Sequence, residues 1–108
     1  MSFPEADQEN ISMRRDEVLN ILHCHLPDLE QFGVSSLAIF GSVARDEAQA
    51  DSDIDILVEF ADGATFDRYM GLKLFLEDLF HRPIDLATPR SLKQRIRPAI
   101  EREAVYVT

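Results

Sequence analysis

Two aspartates separated by one residue lie in a run of aliphatic residues, Ser52-Asp-Ile-Asp-Ile-Leu-Val58. Side chains at i and i+2 of a strand point to the same face, so we expect Asp53 and Asp55 to project together. Neighbouring carboxylates repel each other, which lowers the stability of the fold, and a bound divalent cation removes this repulsion. Magnesium suits such a site because it binds one or two carboxylates together with substrate phosphates. From this short motif alone, two scattered acids on a solvent-facing strand remain the simpler interpretation.

A third aspartate has the same surroundings. Asp85 lies between Ile84 and Leu86, so a strand that buries both aliphatic residues turns the carboxylate outward. If this strand is adjacent to the first and in register, three carboxylates meet and can hold two metal ions roughly 3.5–4 Å apart, as two-metal phosphoryl transfer requires. The alternative is an acid paired with Arg82. The alternation of apolar and acidic residues favours the metal site.

Gly41 and Ser42 interrupt a predicted strand just before a predicted short helix. Backbone N–H groups at such a junction bind anions, glycine allows close approach, and the serine hydroxyl adds a donor. We therefore interpret Gly41 and Ser42 as phosphate-binding residues. For an isolated Gly-Ser pair, an ordinary serine helix cap with glycine as a bend is the simpler interpretation. Arg45, one turn later, is suited either to bind a phosphate or to brace an aspartate.

The hydrophobic periodicity and the turn residues predict one small α/β domain over residues 1–108, with residues 1–10 frayed. Helices are predicted over about 11–25, 43–45 and 65–80, with a short turn between Pro27 and Gly33, and strands over 34–40, 53–60, 84–87 and 104–107. Ser91 and Gln94 fit a capping box that opens a final helix, which Pro98 would interrupt.

The helix predicted over 65–80 is apolar on more than one face. Its main apolar stripe comprises Phe66, Tyr69, Met70, Leu76, Leu79 and Phe80, and the stripe is widened by Leu72, Leu74 and Phe75. A helix that packs on one core needs a narrower stripe. We therefore expect a second buried surface, either a contact with a partner or a helix covered on two sides.

Composition restricts the classes of function. The 108 residues carry a net charge of −9, which disfavours direct binding of nucleic acid. A single cysteine, Cys24, excludes an internal disulfide, and no apolar run reaches the roughly 20 residues of a membrane span. The N-terminus lacks the pattern of a signal peptide, so we expect a cytoplasmic protein without membrane contact.

Taken together, the Gly-Ser pair, the Asp-x-Asp motif ten residues later and the later strand aspartate resemble the minimal nucleotidyltransferases of the DNA polymerase β-like superfamily. The matching residues here are Gly41, Ser42, Asp53, Asp55 and Asp85. The surrounding stretches agree as well, namely FGSVAR over 40–45, SDIDILV over 52–58 and RPIDL over 82–86. The resemblance covers almost the whole chain. It implies the palm fold of that superfamily, a small mixed sheet with helices packed on it.

Such minimal proteins are typically antitoxins of the MntA type, encoded beside a HEPN-domain ribonuclease toxin. The resemblance implies transfer of AMP from Mg-ATP to a tyrosine hydroxyl of that toxin. In this scheme Asp53, Asp55 and Asp85 bind two magnesium ions, and Gly41, Ser42 and Arg45 hold phosphates. The chain continues little beyond the core, so we expect a protein partner to supply the acceptor.

Two other functions remain open at this stage. A binding antitoxin would mask its partner with an idle metal site, and a small-molecule nucleotidyltransferase would modify a substrate such as an antibiotic. Residue 46 also departs from the family pattern, because many relatives have glycine where this chain has Asp46. Aspartate tolerates a positive φ there, but its charge near a triphosphate would weaken nucleotide binding.

Overall fold

The computed structural model describes residues 14–48, 52–92 and 95–108, in which a four-stranded mixed sheet carries helices. The elements along the chain are α1 (Arg15–Cys24), α2 (Leu26–Gln31), β1 (Val34–Phe40), α3 (Gly41–Ala44), β2 (Ile54–Phe60), α4 (Phe66–Phe80), β3 (Ile84–Ala87), a 3-10 turn (Pro89–Ser91), α5 (Arg97–Glu103) and β4 (Val105–Tyr106). The strand order is β3-β2-β1-β4. This mixed sheet with packed helices confirms the predicted fold class.

The helix ends follow local chemistry. In α2, Pro27 occupies the first turn, and Gly33, at φ +85°, follows its end in the left-handed region that glycine favours. The Thr65 hydroxyl caps α4 by accepting a hydrogen bond from the Arg68 N–H at 3.1 Å. His81, at φ 55°, terminates α4. These signals set the bounds of the two helices that flank the antiparallel pair β1 and β2 along the chain.

One face of the sheet is sealed by α1, α2 and α4. The core on this side comprises Val18, Leu22, Leu29, Leu37, Ile39, Ile54, Ile56, Val58, Leu72, Leu76, Phe80, Ile84 and Leu86, with further buried residues around them. The opposite face carries Asp55 and Leu57, and there Leu57 lines a shallow groove with Pro89 and Glu101. Strand alternation therefore separates Ile54, Ile56 and Val58 of β2 from Asp55, Leu57 and Glu59.

The sequence interpretation of the C-terminal region was wrong in two details. Ser91 does not open a long helix, because it ends the 3-10 turn and exchanges hydrogen bonds with Thr88. Pro98 does not interrupt a helix either, because it lies in the first turn of α5, where its missing N–H has no cost. Gln94 lies outside the described residues.

The wide apolar stripe of α4 is only partly buried. Leu72, Leu76 and Phe80 face the core, whereas Phe66 is 77% exposed and Leu74 is 57% exposed. Phe66, part of the main apolar stripe in the sequence, therefore does not pack in the core at the first position of α4. Within residues 14–48, 52–92 and 95–108, no helix has both the length and the apolar character that a membrane span requires.

Candidate functional site

Asp55 and Asp85 are direct neighbours on adjacent strands. The parallel pairing of β2 with β3 aligns Ile54 with Ile84 and Asp55 with Asp85. Both aliphatic residues of this pairing are buried, so both carboxylates lie on the other face. The in-register neighbourhood that was predicted for Asp85 is thus present. Asp53 directly precedes β2 and is exposed.

Asp55 is electrostatically frustrated. Its pKa is raised to about 6, first by burial, next by the charge of Asp85 and a hydrogen bond with that carboxyl group, and then by the charge of Asp53. Each of these effects disfavours the ionised form. The charge of Arg45 opposes this rise only weakly, so a cation bound beside Asp55 would favour its ionised form.

The strand that carries Asp85 is fixed by side chains of α4. The Lys73 ammonium donates to the Ile84 carbonyl at 3.1 Å, and a Glu77 carboxylate oxygen accepts from the Ile84 N–H at 3.4 Å. Lys73 and Glu77 also form an ion pair, and hydrogen bonding to Lys73 lowers the pKa of Glu77. The Tyr69 hydroxyl donates to the carbonyl of Leu86.

These bonds occupy the outer edge of β3, whose inner edge pairs with β2. Sequence reasoning missed this role. Lys73 and Glu77 have the i,i+4 spacing of an ordinary helix ion pair, and no sequence pattern shows that a strand edge lies beside them.

Gly41 lies directly against Asp55. Its φ is +72°, and a Cβ at this position would lie 2.9 Å from Asp55 Cγ and closer still to Asp55 Oδ2. Glycine is therefore required both by the backbone conformation and by the space. The structure thus brings the predicted cradle next to the predicted metal site. The side chain of Ser42, the following residue, forms no hydrogen bond with any described residue.

Glu103, at the end of α5, binds both Gly41 and Arg45. Its Oε1 accepts the Gly41 N–H at 3.1 Å, and both carboxylate oxygens accept from Arg45 Nη1 at 3.2 Å. Arg45 Nε also donates to Glu47 at 3.1 Å. The hydrogen bonds with Glu47 and Glu103 raise the pKa of Arg45. Here Arg45 braces two glutamates, whereas the sequence suggested a phosphate or an aspartate. Sequence reasoning missed Glu103 because 58 residues separate it from Arg45.

Asp46 adopts a positive φ of 60°. This is the conformation expected where relatives have glycine, and aspartate tolerates it. One oxygen of its carboxylate, Oδ1, accepts the Arg15 N–H at the start of α1 at 3.0 Å. An acid is favourable there because the first N–H groups of a helix are unpaired and the dipole is positive. The Asp46 carboxylate, which the sequence suggested would repel a nucleotide, is therefore bound by the N-terminus of α1.

The donor set fits a divalent cation in part. In the described parts of the chain, no three histidine, cysteine, aspartate or glutamate side chains are arranged to hold a metal ion. Magnesium, however, needs only one or two protein carboxylates when substrate phosphates and water complete its coordination. The half-buried Asp55 with its neighbour Asp85 supplies two hard oxygen ligands and an unrelieved negative charge.

Comparison with known proteins gives the family of the chain. A family model described as the nucleotidyltransferase domain matches residues 25–107. The protein adenylyltransferase MntA of Thermococcus cleftensis is 41% identical over 93 residues, which cover 85% of this chain and 94% of that protein. A candidate protein adenylyltransferase of Methanocaldococcus jannaschii is 40% identical over 93 residues, with 84% and 95% of the two chains covered.

Solved structures agree with this assignment. A candidate minimal nucleotidyltransferase superposes with a TM-score of 0.75 at 36% identity, covering 86% of this chain and 95% of the other. A chain of a toxin–antitoxin complex with AMP-PNP gives a TM-score of 0.63 at 20% identity, with 87% and 72% covered. A chain from the complex of a tri-AMPylated Shewanella oneidensis HEPN toxin with its MNT antitoxin gives 0.55 at 19% identity, with 87% and 68% covered.

The last two structures, at 20% and 19% identity, show only that the fold is shared. The family model and the similar sequences carry more, because they extend over the strands and the turn that hold Gly41, Asp55 and Asp85. The chain therefore belongs to the nucleotidyltransferase domain family and is a transferase of the minimal type.

Proposed function

We propose that this chain is an antitoxin that transfers AMP from Mg-ATP to a tyrosine hydroxyl of a cognate HEPN ribonuclease toxin. The observation that carries the proposal is the in-register pair Asp55 and Asp85 beside Gly41, in a chain 41% identical to a protein adenylyltransferase over 94% of that protein. The fold that it shares with antitoxin chains from HEPN toxin complexes supports the choice of partner.

In this proposal Asp53, Asp55 and Asp85 hold the magnesium, two ions when nucleotide is present. Bound magnesium would lower the pKa of the attacking hydroxyl and neutralise charge on the departing pyrophosphate. Asp55 is suited to this role because burial and Asp85 raise its pKa, so that its ionised form gains most from a cation. Asp53 joins from the exposed start of β2 once nucleotide is bound.

Gly41 and Ser42 hold the terminal phosphates of ATP. The glycine lets the triphosphate approach the backbone, and the Ser42 hydroxyl is available as a donor. Arg45, directly after α3, would bind a phosphate while it stays paired with Glu47 and Glu103. This arrangement keeps the α-phosphate near the carboxylates and directs pyrophosphate toward the cradle.

The reaction balances as a single displacement. The tyrosine oxygen forms a bond to the α-phosphorus, the bond from that phosphorus to the bridging oxygen of the β-phosphate breaks, and pyrophosphate leaves. The tyrosine proton passes to solvent. The toxin brings the acceptor in this proposal.

The test combines the chain with Mg-ATP and a HEPN toxin encoded beside it. We expect the intact mass of the toxin to rise by one or more AMP groups, and label to follow the α-phosphate but not the γ-phosphate. Asp55→Asn should abolish the gain, whereas Asp78→Asn, an exposed acid on α4, should not. An active toxin that gains no mass would contradict the proposal.

A second candidate is a binding antitoxin that masks its partner without catalysis. It is favoured by the pairing of Gly41 and Arg45 with Glu103 and by the absence, within the described ranges, of three converging metal ligands. The double variant Asp53→Asn/Asp55→Asn separates the two candidates. Retained neutralisation of the toxin favours masking, and lost neutralisation with retained complex formation favours AMP transfer.

A further inference from the structure

The carboxylate of Glu103 reaches into the site from the C-terminal end of the chain. It accepts the Gly41 N–H at 3.1 Å and binds Arg45 Nη1 through both oxygens at 3.2 Å. Among the described residues, its side chain thus forms hydrogen bonds with both Gly41 and Arg45 of the predicted phosphate cradle. This convergence lies next to Asp55, against which Gly41 packs.

We propose that Glu103 is the positioning residue of the phosphate cradle. It fixes the orientation of the Gly41 peptide and holds Arg45 in place, so that the Ser42 donors face the nucleotide. The inference deepens the proposed nucleotidyltransferase function and rests on it. Glu103 contacts no reacting atom in this scheme, and it acts through Gly41 and Arg45.

The geometry around Gly41 explains why such a support matters. The glycine is held at φ +72° with no room for a Cβ between its backbone and Asp55. Its N–H lies at the start of α3, a helix of four residues, which is too short to stabilise its own first turn. A charge-assisted hydrogen bond from a separate element supplies that order.

Glu103 itself is held at the junction of two elements. It is the last residue of α5, and β4 follows after Ala104 and pairs with β1 through Ile39 and Val105. β1 ends at Phe40, so the pairing of β4 and the bond from Glu103 reach the same end of β1. The C-terminal segment thereby joins the core strand to the cradle that follows it.

Nucleotide affinity tests the inference. We would measure binding of α,β-methylene ATP with Mg²⁺ by calorimetry, because this analogue cannot release AMP. Glu103→Ala should raise the Kd about tenfold, the size expected for loss of charged hydrogen bonds that orient a binding group. Glu103→Gln should raise the Kd only about threefold, because the amide oxygen can still accept the Gly41 N–H.

The matched control is Glu101→Ala, which removes the other acid of α5 and its ion pair with Arg97. This variant should leave the Kd unchanged. Binding of Mn²⁺ to the chain without nucleotide should be equal in all variants, because the carboxylate side is intact. Measurements are made at a temperature at which every variant is fully folded.

Three results would overturn the inference. Tighter nucleotide binding by Glu103→Ala would mean that Glu103 competes with the phosphates. Equal affinity of Glu103→Ala and Glu101→Ala would mean that Glu103 only stabilises the fold. If the unaltered chain binds no nucleotide, the proposed function fails first, and the inference fails with it.

Discussion

The two sides of the site differ in how their charges are compensated: a carboxylate side with Asp55 and Asp85, and a cradle side with Gly41, Ser42 and Arg45. On the carboxylate side, Asp55 and Asp85 are neighbours across parallel strands, and their mutual repulsion helps raise the pKa of Asp55 to about 6. On the cradle side, Arg45 is bound by Glu47 and Glu103, and Glu103 also accepts the Gly41 N–H. The acids of the cradle side are paired with an arginine of the chain, whereas the acids of the carboxylate side repel one another.

This difference indicates which side depends on a ligand. Like charges that lie close together cost free energy until a cation compensates them, the more so because Asp55 is half-buried. The cradle holds its arginine by ion pairs with Glu47 and Glu103, so its order comes from the fold. We therefore expect changes on the carboxylate side to affect activity more than stability, and changes on the cradle side to affect both.

The largest expected effect follows from Asp55→Asn. AMP transfer should fall by on the order of 10³-fold, since metal-assisted stabilisation of phosphoryl transfer is worth several kcal/mol. Unfolding at neutral pH without metal should require at least as much urea as for the unaltered chain, because the repulsion is gone. Transfer assays and urea titrations measure the two effects. A large loss of stability would contradict the view that Asp55 is frustrated.

The next effect distinguishes two glycines with similar backbones. Gly41, at φ +72°, lies against Asp55, whereas Gly63, at φ +88°, has open space around it. Gly63→Ala should therefore cost only the backbone strain, about 1 kcal/mol. Gly41→Ala adds a steric clash and should cost about 2–4 kcal/mol together with most of the activity. Equal costs in urea unfolding would show that Asp55 moves aside freely.

The carboxylate side of the site was largely predictable from the sequence. Alternation in the strands placed Ile54 and Ile84 in the core and Asp55 and Asp85 on the other face, and the register of the parallel strands agrees. Local rules suffice here because a strand has only two faces. The bounds of β1 and β3 and the caps of α2 and α4 follow from equally local signals.

The partners of the cradle side were not predictable in this way. Glu103 and Arg45 are 58 residues apart, and Asp46 and Arg15 are 31 apart. Such pairs depend on how elements pack, which a single sequence does not encode in any periodic pattern. The start of α5 was also misjudged, because a proline inside an apparent helix and a proline in its first turn look alike until the turn is known.

Stability should depend on pH through Asp55. Its pKa rises from the model-peptide value of 3.8 to about 6 on folding, so the folded chain binds more protons between these values. The contribution of this group to stability is therefore fully present below about pH 4 and is lost as the pH rises through about 6. Allowing for solvent screening, the loss is on the order of 1–2 kcal/mol.

Comparison with Asp55→Asn isolates this contribution from those of other carboxylates. Urea unfolding in the presence of EDTA at pH 4.5 and 7.5 should show the variant gaining on the unaltered chain at the higher pH. If the folded structure does not raise the pKa of Asp55, the difference in unfolding free energy between the two proteins should be the same at both pH values. That result would weaken the contrast between the two sides of the site.

The smallest expected effect concerns the support of the carboxylate side. The Tyr69 hydroxyl donates to the carbonyl of Leu86, one residue after Asp85. Tyr69→Phe removes this donor and should cost about 1 kcal/mol in unfolding free energy. Tyr106→Phe is the matched control, because Tyr106 is 54% exposed and should tolerate the change.

The activity of Tyr69→Phe then shows how rigidly β3 must be held. Lys73 and Glu77 still bind the carbonyl and the N–H of Ile84, so the strand keeps its place at the end that precedes Asp85. AMP transfer should therefore fall only severalfold, and nucleotide affinity, which depends on the cradle side, should not change. A loss of AMP transfer as large as that of Asp55→Asn would mean that the position of Asp85 depends on every bond between α4 and β3. Asp55 and Asp85 would then function as a pair only while α4 holds β3 against β2.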